Sequence, residues 1–151
     1  MDNTGDGNNQ DCRLDGCLFF STAKLARVFG KIADDAFRKI GMSPSHVLLL
    51  YLVNQRGNIP QKEIGELLHL TPSTITRFVE KLESKKLVFR KNDGKNVLIS
   101  TTETGLLLQS EIIKAWNDLH GRYQDILTQE ETQQFLALSS KLLGRLENPE
   151  D

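Results

Sequence analysis

The clearest alternation of apolar and polar positions lies in the middle of the chain, within residues 71–86. One side of a predicted helix carries four large apolar residues at helical spacing: Ile75, Phe78, Val79 and Leu82. Thr71 is suited to cap the start of this helix, and Pro72 suits its first turn, where proline loses no intrahelical hydrogen bond. The pattern therefore predicts an amphipathic helix that packs onto a core through this apolar stripe.

The opposite side of the same helix is polar and cationic. Its residues are Ser73, Thr74, Thr76, Arg77 and Lys81. Short hydroxyl side chains near a helix start can approach base edges in a DNA major groove, while longer cations behind them reach phosphates. A helix face that contacts only water carries similar residues, so this helix by itself leaves both interpretations open.

Two β-prone runs follow the helix, at residues 87–91 and 96–101. Asp93 and Gly94 between them both tolerate positive φ, which predicts the turn of a β-hairpin. The cations that flank this turn are Arg90, Lys91 and Lys95. A helix followed by a hairpin with a basic tip indicates a winged helix-turn-helix, in which the hairpin is the wing.

The segments before this helix complete the motif. Residues 60–68 predict a short helix, and a turn of about three residues joins it to the helix that follows. Ile59 is a candidate for a short strand. Residues 46–53 are nearly apolar on all sides, which predicts a buried helix that Ser43 and Pro44 begin.

Longer amphipathic helices are predicted at both ends of the chain. The first covers residues 14–40 and ends at Gly41, a second begins after Thr102, and a capping box of Thr128 and Glu131 opens the last. These helices present more apolar surface than a small winged helix can cover. A homodimer would cover it and would place two recognition helices about one DNA turn, roughly 34 Å, apart.

The predicted fold class is therefore mainly α with a small β component (α+β), a winged helix-turn-helix with N- and C-terminal dimerisation helices. We expect one domain over residues 11–151. Its DNA-binding lobe would cover about residues 42–101, and its dimerisation helices about residues 12–40 and 102–147. Residues 1–10, rich in Gly, Asn and Asp, predict a disordered tail.

Charge is distributed unevenly along the chain. The 151 residues carry a formal net charge of -1. Residues 56–95 hold nine Lys/Arg and five Asp/Glu, a net of +4, so the remainder carries -5, because -5 + 4 = -1. The basic residues are concentrated on the predicted winged helix, as a DNA-binding surface requires.

Apolar content of 38% and charged content of 26% are ordinary for a globular protein. No uninterrupted apolar run approaches the roughly 18–20 residues that a membrane span needs, and the acidic start lacks the basic and apolar regions of a signal peptide. We therefore expect a cytoplasmic protein with no membrane partner.

Catalytic and metal-binding patterns are absent from the sequence. His46, His69 and His120 are widely spaced, and no Ser/His/Asp arrangement or Gly-rich phosphate loop occurs. Cys12 and Cys17 have no second pair or histidine cluster that would complete a zinc site. The sequence predicts a protein that is not an enzyme and that holds no metal or cofactor.

The order of these elements, together with Leu-Leu-His-Leu-Thr-Pro-Ser-Thr-Ile-Thr-Arg-Phe-Val-Glu-Lys-Leu-Glu at residues 67–83, resembles the MarR family of bacterial transcription regulators. The resemblance covers about residues 17–146. Thr102-Glu103-Thr104-Gly105 is similar to the Thr-Glu-Lys-Gly with which the family begins the helix after the wing. The resemblance implies a dimeric, mainly helical protein that binds pseudo-palindromic operators, often as a repressor released by a small ligand or an oxidant.

Two positions depart from the family pattern. The wing usually carries an Asp and, two residues later, an Arg; here Asp93 matches the first and Lys95 replaces the second. Because Lys is a point charge without the planar fork of Arg, we expect weaker readout of the minor groove at the wing tip. Lys86 stands where the family commonly has Gly after the recognition helix.

Cys17-Leu18-Phe19-Phe20 resembles the start of the first helix in the branch of the family that senses organic peroxides, where a Cys at this place is oxidised. A helix N-terminus favours a reactive thiolate, which is consistent with a redox sensor at Cys17. Cys12 is then either its resolving thiol or part of the N-terminal tail. That branch supports its Cys with tyrosine hydroxyls, however, and this chain has no Tyr before Tyr51. The alternative is that Cys17 is a small buried apolar residue.

We therefore expect a sequence-specific DNA-binding regulator. Ser73, Thr74, Thr76 and Arg77 are the candidates for the major groove, and Arg77 is the best suited to a bidentate contact with guanine. The candidates for phosphates or the minor groove are Lys81, Arg90, Lys91 and Lys95. The expected partners are a double-stranded operator, a second copy of the chain, and a small-molecule or oxidant effector. The alternative function is a winged-helix adaptor that binds proteins without sequence-specific DNA binding.

Overall fold

This computed structural model describes residues 14–150. The tail expected at residues 1–10 and the thiol of Cys12 lie outside the described residues. The described elements are α1 (Leu18–Phe37), α2 (Pro44–Arg56), β1 (Asn58–Pro60), α3 (Gln61–Leu68), α4 (Pro72–Ser84), β2 (Val88–Asp93), β3 (Asn96–Thr101), α5 (Glu103–Leu107), α6 (Gln109–Gly121) and α7 (Gln129–Glu147). The winged helix-turn-helix fold and the flanking helices predicted from the sequence are confirmed.

The helix starts follow the local capping signals. The side chains of Ser43 and Thr71 accept hydrogen bonds from backbone N–H groups in the first turns of α2 and α4, each of which has proline at its start. Thr128 and Glu131 form the reciprocal bonds of a capping box at the start of α7. These local interactions satisfy backbone donors that the helices leave unpaired.

Two predicted helices are shorter than the sequence pattern indicated. Residues 14–40, predicted as one helix, form a 3₁₀ turn (Leu14–Gly16), then α1, then a second 3₁₀ turn (Arg38–Ile40). The second turn ends at Gly41, whose φ is 77°. The pattern after Thr102 is likewise divided into α5 and α6. Apolar spacing continues across such breaks because 3₁₀ and α turns place side chains on similar faces over a few residues.

The three strands form an antiparallel sheet in the order β1-β3-β2. Ile59 pairs with Ile99, so the short strand predicted at Ile59 joins the wing to the rest of the lobe. Asp93 and Asn96 are the last paired residues of the hairpin, which leaves Gly94 and Lys95 as its turn. The turn predicted at Asp93 and Gly94 is therefore displaced by one residue, and of these two residues only Gly94 has positive φ, at 59°. A turn with positive φ at its first central residue alone suits Gly followed by an ordinary residue.

The core lies between α2, α4 and the sheet. It is formed by fully buried side chains from each, among them Leu49, Leu50, Val53, Ile59, Ile75, Val79, Leu82 and Ile99. Helix α2 is buried as its apolar composition predicted. The C-terminal half of α1 packs on α6, where Phe37 contacts Trp116 and Arg122 donates a 2.6 Å hydrogen bond to Asp35. That bond and the charge of Arg122 lower the pKa of Asp35.

Lys86 ends the recognition helix in the left-handed conformation. Its φ is 60°, its N–H donates to the carbonyl of Glu83, and the N–H of Leu87 donates to the carbonyl of Leu82. This pair of bonds is a Schellman motif, in which the left-handed residue is usually glycine. The departure from the family pattern at Lys86 therefore places a β-carbon where the backbone disfavours one.

Gly105 lies where a side chain has no room. A β-carbon on Gly105 would be 2.2 Å from the carbonyl oxygen of Leu87 and 2.6 Å from the hydroxyl of Thr101. The neighbouring Thr102 hydroxyl donates to the carbonyl of Lys86 at 2.6 Å and accepts from the N–H of Gly105. These contacts hold the start of α5 against the chain segment that enters the wing.

We predict that Gly105→Ala destabilises the protein by about 3 kcal/mol, because the added methyl group meets backbone atoms that cannot move independently. The free energy of unfolding from denaturant titration would measure this loss. Gly144→Ala is the matched control, since Gly144 lies within α7 with nothing within 4 Å of an added β-carbon. The control should lose no stability, because alanine is the better helix former. Equal losses in the two variants would contradict the close contact at Gly105.

We predict that Lys86→Gly stabilises the protein by about 1 kcal/mol. Glycine adopts the left-handed conformation without the strain that a β-carbon causes, and this gain exceeds the larger backbone entropy that glycine loses on folding. Thermal unfolding at fixed protein concentration would show a melting temperature about 2–4 °C higher. Lys86→Ala removes the same charge but keeps a β-carbon, so it should show no gain. A gain of the same size in Lys86→Ala would attribute the effect to charge and not to the backbone.

Candidate nucleic-acid interface

The recognition helix α4 is oriented by its apolar side. Ile75, Val79 and Leu82 are fully buried, and Phe78 is half-buried against the same core. The predicted stripe is therefore confirmed. Ser73, Arg77 and Lys81 on the other side of the helix are exposed, while Thr74 and Thr76 are half-buried. The polar face thus lies at the surface, beside the turn that precedes α4.

The hydroxyl groups at the start of α4 bond to one another. The Thr71 hydroxyl lies 2.9 Å from that of Thr74 and 3.3 Å from that of Ser73. The same Thr71 oxygen accepts the backbone N–H of Thr74. Ser73 is exposed and makes only the longer of these two hydroxyl contacts, so its hydroxyl can hydrogen bond with an external partner.

Thr76 is held more firmly than its neighbours. Its hydroxyl donates to the carbonyl of Pro72 at 3.0 Å and accepts from the side-chain amide of Gln61, also at 3.0 Å. The Arg90 guanidinium lies 3.4 Å from the carbonyl oxygen of Thr76. Residues of α3, α4 and β2 therefore meet at Thr76, although only α4 and the wing were assigned to the site from the sequence.

The cations of the predicted site are in two different states. Arg77, Lys81, Lys91 and Lys95 are exposed and form no ion pair or side-chain hydrogen bond with any residue in the range 14–150. Arg90 instead pairs with Glu83 at 3.2 Å and points back onto α4. The first group is available to phosphates, whereas Arg90 would have to exchange an existing partner for one.

Two residues near this face were not identified from the sequence. Glu80 is exposed and lies three and four residues after Arg77 and Thr76, so its carboxylate belongs to the same side of α4. Helical spacing could have found Glu80, and a carboxylate there suits the amino group of cytosine better than a phosphate. Gln61 could not have been found by spacing, because its contact with Thr76 is made between two helices.

The turn of the helix-turn-helix consists of His69, Leu70 and Thr71. His69 ends α3 with a left-handed φ of 52°, and Leu70 donates its N–H to the carbonyl of Gly65. The His69 ring lies 2.7 Å from a carboxylate oxygen of Glu147 at the end of α7, and both side chains are about half exposed. The turn thereby contacts the last helix of the chain.

His46 lies behind the recognition helix. Its ring contacts the Ser43 hydroxyl and lies 4.2 Å, between centroids, from the ring of Phe78. Burial lowers the pKa of His46, and the charges of Lys81 and Lys85 lower it further. The lowered pKa favours the neutral ring, which packs between α2 and α4.

Cys17 occupies the N-cap position of α1 and is half-buried. This is the helix start at which the sequence placed it. Within residues 14–150 no group of three or more His, Cys, Asp or Glu residues could hold a metal ion. No helix in that part of the chain is both long enough and apolar enough to cross a membrane.

Comparison with known proteins agrees with this arrangement. A family model described as the MarR family matches residues 42–96, which cover α2 through the turn of the wing. The organic hydroperoxide resistance transcriptional regulator of Bacillus subtilis is 30% identical over 108 residues, which cover 70% of this chain and 69% of that protein. The chain belongs to the MarR family. It is therefore a winged helix-turn-helix transcriptional regulator.

Other MarR-like proteins extend the comparison to nearly the full length. The transcriptional repressor MdtR of Bacillus subtilis is 27% identical over 132 residues, which cover 83% of this chain and 85% of MdtR. The crystal structure of a complex of Staphylococcus aureus MepR with DNA aligns with a TM-score of 0.76 at 21% identity, over 86% of this chain and 98% of MepR. At that identity the likeness to MepR shows the shared fold.

Proposed function

We propose that this MarR-family regulator binds a pseudo-palindromic DNA operator as a homodimer and acts as a repressor. In this proposal α4 enters the major groove, where Ser73, Thr74, Thr76 and Arg77 lie against base edges. The contacts to phosphates or to the minor groove come from Lys81, Arg90, Lys91 and Lys95. A cytoplasmic location, with the DNA, is part of the same proposal.

The observation that carries this proposal is the exposed face of α4 with its unpaired cations. Arg77 and Lys81 lie opposite the buried stripe, and they have no ion-pair partner among the described residues. Lys91 and Lys95 extend the positive charge onto the wing. Neutralising several phosphates releases counterions, which supports binding to any duplex, while the short side chains near the start of α4 can distinguish bases.

Arg77 is proposed to read a base and Lys91 to contact phosphate. We predict that Arg77→Ala weakens binding to the preferred operator by about 1–3 kcal/mol and weakens binding to random duplex much less. Lys91→Ala, the matched control, should lower both affinities by a similar factor. It should also reduce the slope of log affinity against log salt concentration by about the amount expected for one phosphate contact. Fluorescence anisotropy at two salt concentrations measures both, with an operator selected from random duplexes. Equal losses for Arg77→Ala on the two duplexes would assign Arg77 to a phosphate.

The homodimer is supported by apolar surface that a single chain leaves in water. Helix α7 has no buried residue, although it carries Phe135, Leu136, Leu138, Leu142, Leu143 and Leu146. The N-terminal half of α1 is similar, with Leu18 67% and Phe19 71% exposed. Exposed apolar surface of this extent marks an interface, and a twofold interface also places two α4 helices on one duplex.

We predict that the protein has twice the chain mass of 17.0 kDa in light scattering coupled to size exclusion. Leu142→Glu should shift it towards monomer and weaken operator binding, because it places a charge within the apolar side of α7. Ala137→Glu adds the same charge at an exposed position whose neighbours one turn away are polar, so it should remain dimeric. A monomeric wild type, or loss of the dimer in Ala137→Glu alone, would contradict the interface.

Release of the operator completes the proposal in two alternative forms, a small-molecule effector or oxidation of Cys17. The position of Cys17 at the start of α1 and the likeness to an organic hydroperoxide resistance regulator support the second form. Binding to the selected operator with and without peroxide, repeated with Cys17→Ser, separates the two. Operator binding that peroxide does not change in the wild type would leave the small molecule as the remaining form, and release by peroxide that persists in Cys17→Ser would assign the oxidation to another residue.

A further inference from the structure

The Thr76 hydroxyl is already fully used as a donor within the protein. A hydroxyl has one hydrogen, and that of Thr76 is directed at the carbonyl of Pro72, 3.0 Å away. The side-chain amide of Gln61 donates to the same oxygen from the neighbouring helix. For Thr76 to donate to a base, it would have to give up its bond within α4.

The rest of the Thr76 side chain is a methyl group. Thr76 is half-buried, lies three residues after the exposed Ser73 and is followed by the exposed Arg77. With the oxygen held between Pro72 and Gln61, the part of the side chain that remains for a ligand of α4 is apolar. In the major groove the apolar group presented by a base is the C5 methyl of thymine, which threonine methyl groups contact.

We propose that Thr76 recognises thymine through its methyl group and that Gln61 is the positioning residue that holds it in this orientation. This inference rests on the proposed function, because it requires α4 to enter a major groove. Gln61 acts from α3, so its contribution is to the geometry of Thr76. The wing reaches the same residue through Arg90, which contacts the Thr76 carbonyl while Glu83 holds its guanidinium.

Two substitutions separate the methyl group from the hydroxyl. Thr76→Val keeps the methyl group and the β-branched shape but removes the oxygen, whereas Thr76→Ser keeps the hydroxyl and removes the methyl group. Recognition through the methyl group requires Thr76→Val to retain the preference for thymine and Thr76→Ser to lose it. A hydroxyl that bonds to the O4 oxygen, which thymine and uracil share, would not distinguish these two bases in the wild type or in either variant.

The experiment begins with an operator selected by the wild-type protein from random duplexes. Each thymine of one half-site is then replaced by deoxyuridine, which removes only the C5 methyl group. We expect one position at which wild type and Thr76→Val both lose about fourfold in affinity, the factor that corresponds to one buried methyl group. Thr76→Ser should bind the thymine and uracil duplexes equally. Melting temperatures establish that each variant is folded.

Gln61→Leu tests the positioning role with the same duplexes. Removing the amide donor should reduce the ratio of thymine to uracil affinity at that one position and leave the ratios at other positions unchanged. Lys62→Leu is the matched control on α3, because it removes a charge from the adjacent residue and should lower both affinities by the same factor. An unchanged ratio in Gln61→Leu would remove Gln61 from the proposal.

The outcomes also separate this inference from the function on which it depends. An operator with no thymine sensitive to deoxyuridine, or a preference kept by Thr76→Ser and lost by Thr76→Val, would overturn the methyl contact and leave the regulator's DNA binding intact. Failure of the wild type to select any operator would overturn the proposed function and this inference together.

Discussion

The docking of α4 through its apolar side is the interaction on which the rest of the structure depends. Ile75, Val79 and Leu82 are fully buried, and each such side chain contributes about 1.5–3 kcal/mol relative to exposure. Rotating the helix about its axis would expose them and bury Arg77. The packing of the core therefore sets the orientation of the polar face. The side chains on that face can differ without changing how α4 packs.

The position of the wing relative to α4 is set by a second group of contacts at its base. Lys86 turns the chain out of α4, and Thr102 bonds to the Lys86 carbonyl where the chain leaves the hairpin. Gly105 allows the start of α5 to lie against Leu87. Because both ends of the hairpin are tied to one place, Lys91 and Lys95 extend from α4 in a defined direction. The glycine of the Thr-Glu-x-Gly pattern is required here because a β-carbon at Gly105 would clash with the carbonyl group of Leu87.

The terminal helices have a different physical character from the lobe that carries α4. The C-terminal half of α1 is packed on α6, whereas its N-terminal half and the whole of α7 leave large apolar side chains exposed. Within the described chain, α7 reaches the helix-turn-helix through His69 and Glu147, two half-exposed side chains. Exposed pairs of this kind contribute little stability. The placement of α7 therefore depends chiefly on what covers its apolar side.

The sequence by itself determined the order and type of the elements, because caps such as Thr71, apolar spacing such as Ile75 to Leu82, and turn residues such as Gly94 act over a few neighbouring positions. It also identified the polar face of α4 and the surplus of apolar surface on α1 and α7. It misplaced the turn of the wing by one residue, since Asp93 and Gly94 satisfy the local preference but strand pairing of Asp93 with Asn96 selects the next pair. Only the tertiary structure decided which polar side chains already have partners, namely Thr76 with Gln61 and Arg90 with Glu83. It also decided that Gly105 lies against Leu87, with no room for a side chain. Each of these contacts joins elements that are separate along the chain, and no periodicity within one element encodes them.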